Sequence, residues 1–211
     1  MIKAVLFDFD GTLVDNMPTH YESLMKALKW EVKIEPMDLY LQEGRHSPDI
    51  IADLLKDLNL DEYELRRFVQ RKSNLYMKMG ENLRIRPEAV KLINKLKKLN
   101  YKIGLVTGSP MKYVKLHIKP RHYALFDYVL TGEETEKFKP DPEPYLKCAE
   151  KLGMKPEECL AIDNAPIGVE SAKSAGMICI GFVSTVSEEQ LKRADFVIKE
   201  LSEAEEIIKK L

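Results

Sequence analysis

The sequence lacks the features of a nucleic-acid-binding or membrane protein. Its 211 residues carry 33 basic and 34 acidic side chains, a formal net charge of −1, so there is no basic excess to bind a nucleic-acid backbone or an anionic membrane. No apolar stretch free of charges is long enough to cross a bilayer. We therefore expect neither a nucleic-acid nor a membrane partner, and a phosphate group would have to be recognised by a few placed side chains.

Cysteine is also scarce, and the three present have no paired spacing. Cys148, Cys159 and Cys179 stand far apart in the sequence, which is typical of small buried side chains in a reducing compartment. The first apolar run is interrupted by Asp8 and Asp10, so it does not have the pattern of a signal peptide. We expect a cytoplasmic protein.

What the sequence does contain is a series of short apolar runs. Hydrophobic residues make up 45% of the chain, which is enough for a filled core. Runs that are apolar at every position, rather than at every second one, indicate strands covered on both faces, as in parallel sheets. The predicted strands are Lys3–Phe7, Lys102–Val106, Tyr128–Leu130, Cys159–Ile162, Ile178–Phe182 and Phe196–Ile198.

Helical patterns alternate with these strands. They cover Pro87–Leu99, Met111–Ile118, Pro142–Leu152, Ile167–Ala175 and Ser202–Leu211. Ser109 and Asp141 each precede a proline and are expected to cap a helix, while Gly153 and Gly176 stand where helix ends favour positive φ. Strand alternating with helix predicts an α/β fold with an open, doubly wound and mainly parallel sheet.

One region departs from this alternation. Residues 16–84 show helical periodicity and no strand, with predicted helices over His20–Trp30, Pro48–Leu58 and Tyr63–Met79. We interpret this block as a helical cap domain of residues 16–84, inserted into a core domain made of residues 1–15 and 85–211.

Polar residues follow three of the predicted strands. Asp8, Thr107 and the pair Asp163-Asn164 each come at the carboxyl end of a strand, the edge at which open α/β sheets bind ligands. Asp8 and Asp10 lie two residues apart on an extended segment, so both can point toward one reaction centre. Two carboxylates that close need a cation, or one of them must hold a proton, and either state is useful in catalysis.

The string from Asp8 to Asp15, DFDGTLVD, resembles the first signature of the haloacid dehalogenase superfamily. Thr107-Gly108-Ser109 resembles the second signature, which holds the transferring phosphoryl group. Lys139 and its following Pro-Asp-Pro resemble the third, and the segment beginning Asp163-Asn164 resembles the fourth.

The resemblance implies an activity and a cofactor. Asp8 would be the nucleophile, Asp10 the acid and base, and Lys139 a cation that balances the nucleophile and the phosphate. Mg²⁺ would be held by Asp8, by Asp10 through its backbone carbonyl, by Asp163 and by Asn164. Asn164 departs from the superfamily pattern, because a second carboxylate is usual there, and weaker metal binding or lost activity is the expected consequence.

Within the superfamily, the chain looks closest to the branch that holds β-phosphoglucomutase and phosphoglycolate phosphatase. His20, Gly44-Arg45 and the run around Lys72 carry this resemblance. It implies that His20 touches the acid/base aspartate, and that Arg45 and Lys72 contact the substrate from the cap.

The expected function is hydrolysis of a small phosphorylated metabolite through an aspartyl-phosphate. Three alternatives stay open at this point. A phosphomutase would share the core residues, a signalling receiver domain would also have a phosphorylated strand-end aspartate, and a metabolite-binding relative would have lost turnover. The oligomeric state is not indicated by the sequence.

Overall fold

A six-stranded sheet forms the centre of the fold in the computed structural model, which describes residues 1–29 and 31–211. The strands are β1 (Ala4–Asp8), β2 (Lys102–Val106), β3 (Tyr128–Leu130), β4 (Cys159–Asp163), β5 (Ile178–Phe182) and β6 (Phe196–Ile198). Their order across the sheet is β3-β2-β1-β4-β5-β6, and every pairing is parallel. All six predicted strands are confirmed, and β1 and β4 each extend one residue further, to the aspartate.

Successive residues of β1 face opposite sides of the sheet, and both sides are covered. Val5 and Phe7 belong to an apolar cluster with helices on one face, whereas Ala4 and Leu6 belong to a second cluster on the other face. All five residues of β1 are buried, which explains the uninterrupted apolar sequence. The predicted doubly wound α/β fold is confirmed.

Within the described residues, ten α-helices surround the sheet or stand above it. They are α1 (Met17–Ala27), α2 (Pro36–Tyr40), α3 (Ser47–Leu54), α4 (Glu62–Met79), α5 (Pro87–Lys98), α6 (Met111–His117), α7 (Pro120–Tyr123), α8 (Glu143–Lys151), α9 (Pro166–Ser174) and α10 (Ala204–Lys210). Four short 3-10 helices cover Lys56–Leu58, Pro156–Glu158, Glu188–Leu191 and Leu201–Glu203. Two of the α-helices, α2 and α7, were not predicted, because runs of five and four residues carry too little periodicity.

Most predicted helices differ from the observed ones by one or two residues at their ends, and two differ by three residues or more. The helix predicted over His20–Trp30 begins at Met17, with Pro18 in its first turn, and its predicted end at Trp30 lies outside the described residues. The helix predicted over Pro48–Leu58 ends at Leu54 and is followed by the 3-10 turn at Lys56–Leu58.

The expected caps are partly confirmed. The Asp141 side chain accepts a hydrogen bond from the Glu143 amide at 2.9 Å, and Gly153 and Gly176 have φ of +69° and +80°. The expectation for Ser109 was wrong, because its hydroxyl donates to the Asp10 carboxylate instead of capping α6.

Helices α1 to α4 follow β1 and share an apolar cluster of their own. Its buried members are Leu24, Met25, Leu28, Ile34, Leu39, Ile50, Ile51 and Leu55. At its junction with the sheet, the Arg86 amide donates to the Leu13 carbonyl and Val14 bridges Ile85. The separate cluster supports the proposed division at residues 16–84, which stays a prediction. None of the helices among the described residues is long and apolar enough to span a lipid bilayer.

Candidate active site

The polar residues predicted at the strand ends meet at one edge of the sheet. Asp8 is the last residue of β1 and pairs in register with Val106, so Thr107 lies immediately beyond it on the neighbouring strand. Asp163 ends β4, on the other side of β1. Asp8, Thr107 and Asp163 are all nearly inaccessible to solvent. Parallel pairing alone therefore brings together residues that are more than 150 positions apart.

Lys139 connects two of these carboxylates. Its Nζ donates to Asp8 Oδ1 at 2.7 Å and to Asp163 Oδ2 at 2.8 Å, and its side chain is 1% exposed. Burial lowers the pKa of Lys139, but Asp163 and Asp8 outweigh this and raise it, so the ammonium stays charged. Tyr145 donates its hydroxyl to Asp163 Oδ2 at 2.7 Å. Lys139 is therefore fixed beside the proposed nucleophile, as expected.

The site has more negative than positive charge. Burial and the neighbouring Asp163 raise the pKa of Asp8 to about 8, although Lys139 acts in the opposite direction. Asp8, Asp10 and Asp163 are all buried, and the Lys139 ammonium pairs with Asp8 and Asp163. An added cation would restore the balance and keep the Asp8 carboxylate ionised.

Asp10 is held by hydrogen bonds to both carboxylate oxygens. Oδ1 accepts from Asn16 Nδ2 at 2.6 Å and lies 3.1 Å from His20 Nε2. Oδ2 accepts from Ser109 Oγ at 2.6 Å and from Thr107 Oγ1 at 3.3 Å. Burial raises the pKa of Asp10, but these hydrogen bonds, led by that of His20, bring it below its usual range.

His20 and Lys72 extend this network into the cap. Lys72 Nζ lies 2.9 Å from His20 Nδ1, while His20 Nε2 faces Asp10, so one imidazole joins the cap lysine to the core aspartate. Burial and Lys72 lower the pKa of His20 to about 4, and burial lowers the pKa of Lys72 to about 8 although Asp10 raises it. The expected contact of His20 with Asp10 is present.

Asn164 lies between the groups that could hold a metal ion. In the side-chain orientation that satisfies its neighbours, its Nδ2 donates to the Asp10 carbonyl oxygen at 3.0 Å and to Asp8 Oδ2 at 3.2 Å. A Cβ at Gly11, where φ is +84°, would overlap this amide. The amide thus fills the gap between Asp8 and the Asp10 main chain.

Asp163 faces away from this gap. Its Oδ2 accepts from Lys139 and Tyr145, and its Oδ1 accepts from the Ala165 amide at 3.0 Å. Within the described part of the chain, no three His, Cys, Asp or Glu side chains converge on a cation position. The oxygen set around the gap is Asp8 Oδ2, the Asp10 carbonyl and, after rotation of its amide, Asn164 Oδ1. These are hard oxygen donors with one formal charge, and they fit Mg²⁺ with water and a phosphate completing its shell.

The predicted phosphoryl-binding segment lies against both Asp10 and the cap. The Ser109 amide donates to Thr107 Oγ1 at 2.9 Å, which fixes the turn after β2. A Cβ at Gly108 would lie 3.1 Å from the Gly44 carbonyl oxygen, and a Cβ at Gly44 would lie 2.7 Å from the Lys139 side chain. The two glycines therefore allow the cap turn to rest directly on the core.

A small cavity remains between the cap and the core. It has a volume of about 40 Å³, and its lining includes Asp10, His20, Glu43, Arg45, Lys72 and Ser109. The Arg45 guanidinium is paired with Asp53 at 2.7 Å and also binds Gln42, both within the cap. A cavity this small holds no more than a few water molecules.

Several residues of the site were not identified from the sequence. Tyr76 donates to or accepts from His117 Nε2 at 2.7 Å and also binds Asn16 Nδ2 at 2.7 Å. Asn16 directly follows the first signature, and Tyr76 comes one helical turn after Lys72, which are the signals that could have suggested them. His117 and Glu43 have no distinguishing pattern around them.

Comparison with known proteins is consistent with this geometry. The sequence profile described as "Hydrolase: haloacid dehalogenase-like hydrolase" matches residues 2–176. A Thermotoga maritima protein, "Phosphorylated carbohydrates phosphatase", is 29% identical over 183 residues, 83% of this chain and 82% of its own length. Escherichia coli "Hexitol phosphatase A" is 26% identical over 201 residues, 95% and 92% of the two chains. The crystal structure of β-phosphoglucomutase from Clostridium difficile has a TM-score of 0.87 and 27% identity, covering 100% of this chain and 96% of that one.

The fold and the strand-end carboxylates are those of an α/β hydrolytic enzyme with an inserted helical unit. The chain belongs to the haloacid dehalogenase-like hydrolase family, as its sequence signatures predicted. Its relatives include phosphatases of small phosphorylated metabolites.

Proposed function

We propose that this protein hydrolyses phosphate monoesters of a small metabolite, with Mg²⁺ as cofactor and Asp8 as nucleophile. The observation that carries the proposal is the placement of two differently bonded carboxylates in one buried site. Asp8 contacts the Lys139 ammonium, while Asp10 contacts the hydroxyls of Ser109 and Thr107 and the ring of His20. One carboxylate is thereby suited to attack and the other to exchange a proton.

In the first step Asp8 attacks phosphorus in line with the ester oxygen. A P–O bond forms to Asp8, the ester P–O bond breaks, and the leaving alkoxide takes a proton from Asp10. Lys139 offsets the charge on Asp8 and on the phosphoryl oxygens. Thr107 and Ser109 would position the phosphoryl group at the end of β2.

In the second step the aspartyl-phosphate is hydrolysed. Asp10, now ionised, takes a proton from water, which attacks phosphorus and regenerates Asp8. The lowered pKa of Asp10 keeps its carboxylate ionised, the state in which it can take a proton. Its acid role requires that the pKa rises when a phosphate dianion binds beside it, as a nearby like charge does.

Asp8, the Asp10 carbonyl and Asn164 would hold Mg²⁺, with Asp163 orienting Lys139 beside them. The ion supplies charge stabilisation for the attacking carboxylate and the phosphoryl oxygens. Because Asn164 brings no formal charge, we expect this site to bind Mg²⁺ more weakly than a site with a second carboxylate.

A phosphomutase is the second candidate. It is favoured by the similarity to β-phosphoglucomutase and by the His20–Lys72 link to Asp10. The relatives named as phosphatases favour hydrolysis instead. Asn164 favours the third possibility, a metabolite-binding protein with weak turnover. A receiver domain is disfavoured, because helices α1 to α4 follow β1 and Asp10 stands two residues after Asp8.

A panel of phosphorylated metabolites, scored for phosphate release with Mg²⁺ and with EDTA, tests the proposal. We expect magnesium-dependent release that does not require a sugar bisphosphate. Isomerised product without phosphate release, appearing only with a bisphosphate activator, would identify a mutase. Metabolite binding without any product would identify the non-enzymatic alternative.

A further inference from the structure

Glu43 is an acidic residue of the cap that faces the reaction centre. It lies in the turn between α2 and α3 and lines the small cavity above Asp10. Its carboxyl is close enough to interact electrostatically with Asp10 and Asp8 of the core and with Lys72 of the cap. The side chain therefore borders the space that the non-phosphorylated part of a substrate must occupy.

The Glu43 carboxyl has no hydrogen bond or ion pair with any described residue. A partly buried carboxyl without a partner destabilises the folded protein, since its lost hydration is not replaced. A partner that arrives with the substrate would supply the missing hydrogen bonds.

The cations that line the same cavity already have partners. Arg45 is paired with Asp53 at 2.7 Å, and Lys72 is bound to His20, which in turn contacts Asp10. The positive charges of the described lining residues are thus offset by nearby carboxylates, that of Arg45 by Asp53 and that of Lys72 by Asp10 and Glu43. A second phosphate or a carboxylate on the substrate would be buried beside Glu43 without a counter-charge, which is unfavourable.

We propose that Glu43 determines specificity by binding a hydroxyl group of the leaving group and by disfavouring substrates with a second anionic group. The substrate class is then the monophosphate of a neutral sugar or polyol. A carboxylate accepts hydrogen bonds from hydroxyl groups and repels a second anionic group, which suits this class. The inference rests on the proposed phosphatase function and deepens it. It also weighs against the mutase, because a mutase must bind a bisphosphate.

A matched pair of substrates tests this inference. Glucitol 6-phosphate and gluconate 6-phosphate have the same carbon chain and differ only in a terminal hydroxymethyl or carboxylate group. We expect wild type to prefer glucitol 6-phosphate in kcat/KM. Glu43→Lys should raise the gluconate-to-glucitol ratio by about tenfold or more, the usual range for one charged or polar contact. Glu43→Gln, which preserves shape, should change the ratio in the same direction but less.

Asp57→Lys is the matched control, because it makes the same charge change at an exposed position of the cap that does not line the cavity. It should leave the ratio at the wild-type value. A wild-type preference for gluconate 6-phosphate, or parallel changes for both substrates in folded Glu43 variants, would overturn the inference. A wild type that releases no phosphate even from an aryl phosphate would instead contradict the proposed function itself. Melting temperatures verify that each variant is folded.

Discussion

Asp10 is the residue whose proposed role depends most on its surroundings. Its carboxylate accepts from Asn16 and Ser109 and lies beside His20, and each contact favours the ionised form. A group held in this way is a poor acid until a phosphate dianion approaches. Proton transfer in the first step is therefore coupled to substrate binding.

Replacing Asp10 by Asn should reduce turnover of an alkyl phosphate by about 10²–10⁴-fold, the usual worth of acid–base catalysis. The loss should be smaller for an aryl phosphate, whose leaving group needs no proton, provided that formation of the phosphoenzyme limits the rate. Steady-state kinetics with both esters measure this. Equal losses for the two esters, with that step shown to be limiting, would mean that Asp10 is not the acid.

The buried His20 should make the stability of the protein depend on pH. Its pKa is lowered from 6.5 to about 4 by burial and by Lys72, so between these values the unfolded chain binds a proton that the folded protein does not. The contribution of neutral His20 to the free energy of unfolding is fully present above pH 6.5 and is lost as the pH falls toward 4. Between pH 7 and pH 4.5 the loss is roughly 2–3 kcal/mol.

Urea unfolding at pH 7 and pH 4.5 tests this for wild type and for His20→Gln. The variant cannot titrate at position 20, so its free energy of unfolding should fall less than that of wild type over this interval. The same decrease in both proteins would show that His20 is not held neutral by the fold.

Asn164→Asp addresses the departure from the family pattern. The variant loses the amide that donates to Asp8 and to the Asp10 carbonyl, and it adds a charge beside Asp8. In a chelator it should be less stable than wild type by about 1–3 kcal/mol. In Mg²⁺ it should be stabilised more strongly, by about 1.4 kcal/mol for each tenfold gain in affinity.

Melting temperatures at graded Mg²⁺ concentrations decide this, because a difference of 1 kcal/mol shifts the midpoint by about 2–4 °C in a chain of this size. Thr185→Val is the control, because the Thr185 hydroxyl hydrogen-bonds the Asn164 side chain on the side away from the gap. Indistinguishable magnesium dependence in wild type and Asn164→Asp would remove position 164 from the ligand set.

Among the elements, the cap turn between α2 and α3 has the closest contact with the core. Gly44 has φ of +97°, and a Cβ there would lie 2.7 Å from Lys139. The turn also carries His46, whose ring stacks on Phe138 with centroids 4.6 Å apart. Closure of the cap therefore depends on a glycine at position 44.

Gly44→Ala should lower kcat/KM, because the added methyl group holds the cap away from the core and displaces Lys139. Gly153→Ala is the control: φ is +69° there, but a Cβ meets no atom within 4 Å. That variant should lose about 1 kcal/mol of stability through backbone strain and keep its activity. Equal activity of the two variants would show that contact of Gly44 with Lys139 does not matter for closure.

Sequence patterns predicted the elements well where burial is complete. β1 and β4 are continuous apolar runs because both faces of the sheet are covered, and Asp8 and Asp163 at their ends could be assigned to one edge on that basis. The position of Glu43 in the lining of the cavity beside Asp10 could not be predicted, since it depends on how the cap turn approaches the sheet. The pairing of Asp163 with Lys139 and Tyr145, rather than with a free metal position, likewise depends on side-chain orientation.

For the whole molecule, the different roles proposed for core and cap follow from the charged side chains that each contributes and from the access of substrate to the cavity between them. The core holds three buried carboxylates, two of which contact Lys139, and the cap contributes Lys72, Glu43 and the glycine turn over them. The cavity lined by Asp10 and Glu43 measures about 40 Å³, so we expect the cap to move away from the core when a metabolite binds. We therefore propose that the chemistry takes place at the sheet edge and that the cap selects the substrate.

The central claim is that the reaction passes through a phosphoryl group on Asp8. Phosphate release by purified Asp8→Asn in saturating Mg²⁺, with an intact mass that verifies the amide, tests it most directly. The account predicts a folded protein with no turnover above background, because a carboxamide cannot form the acyl-phosphate. Turnover near the wild-type rate in that variant would contradict it.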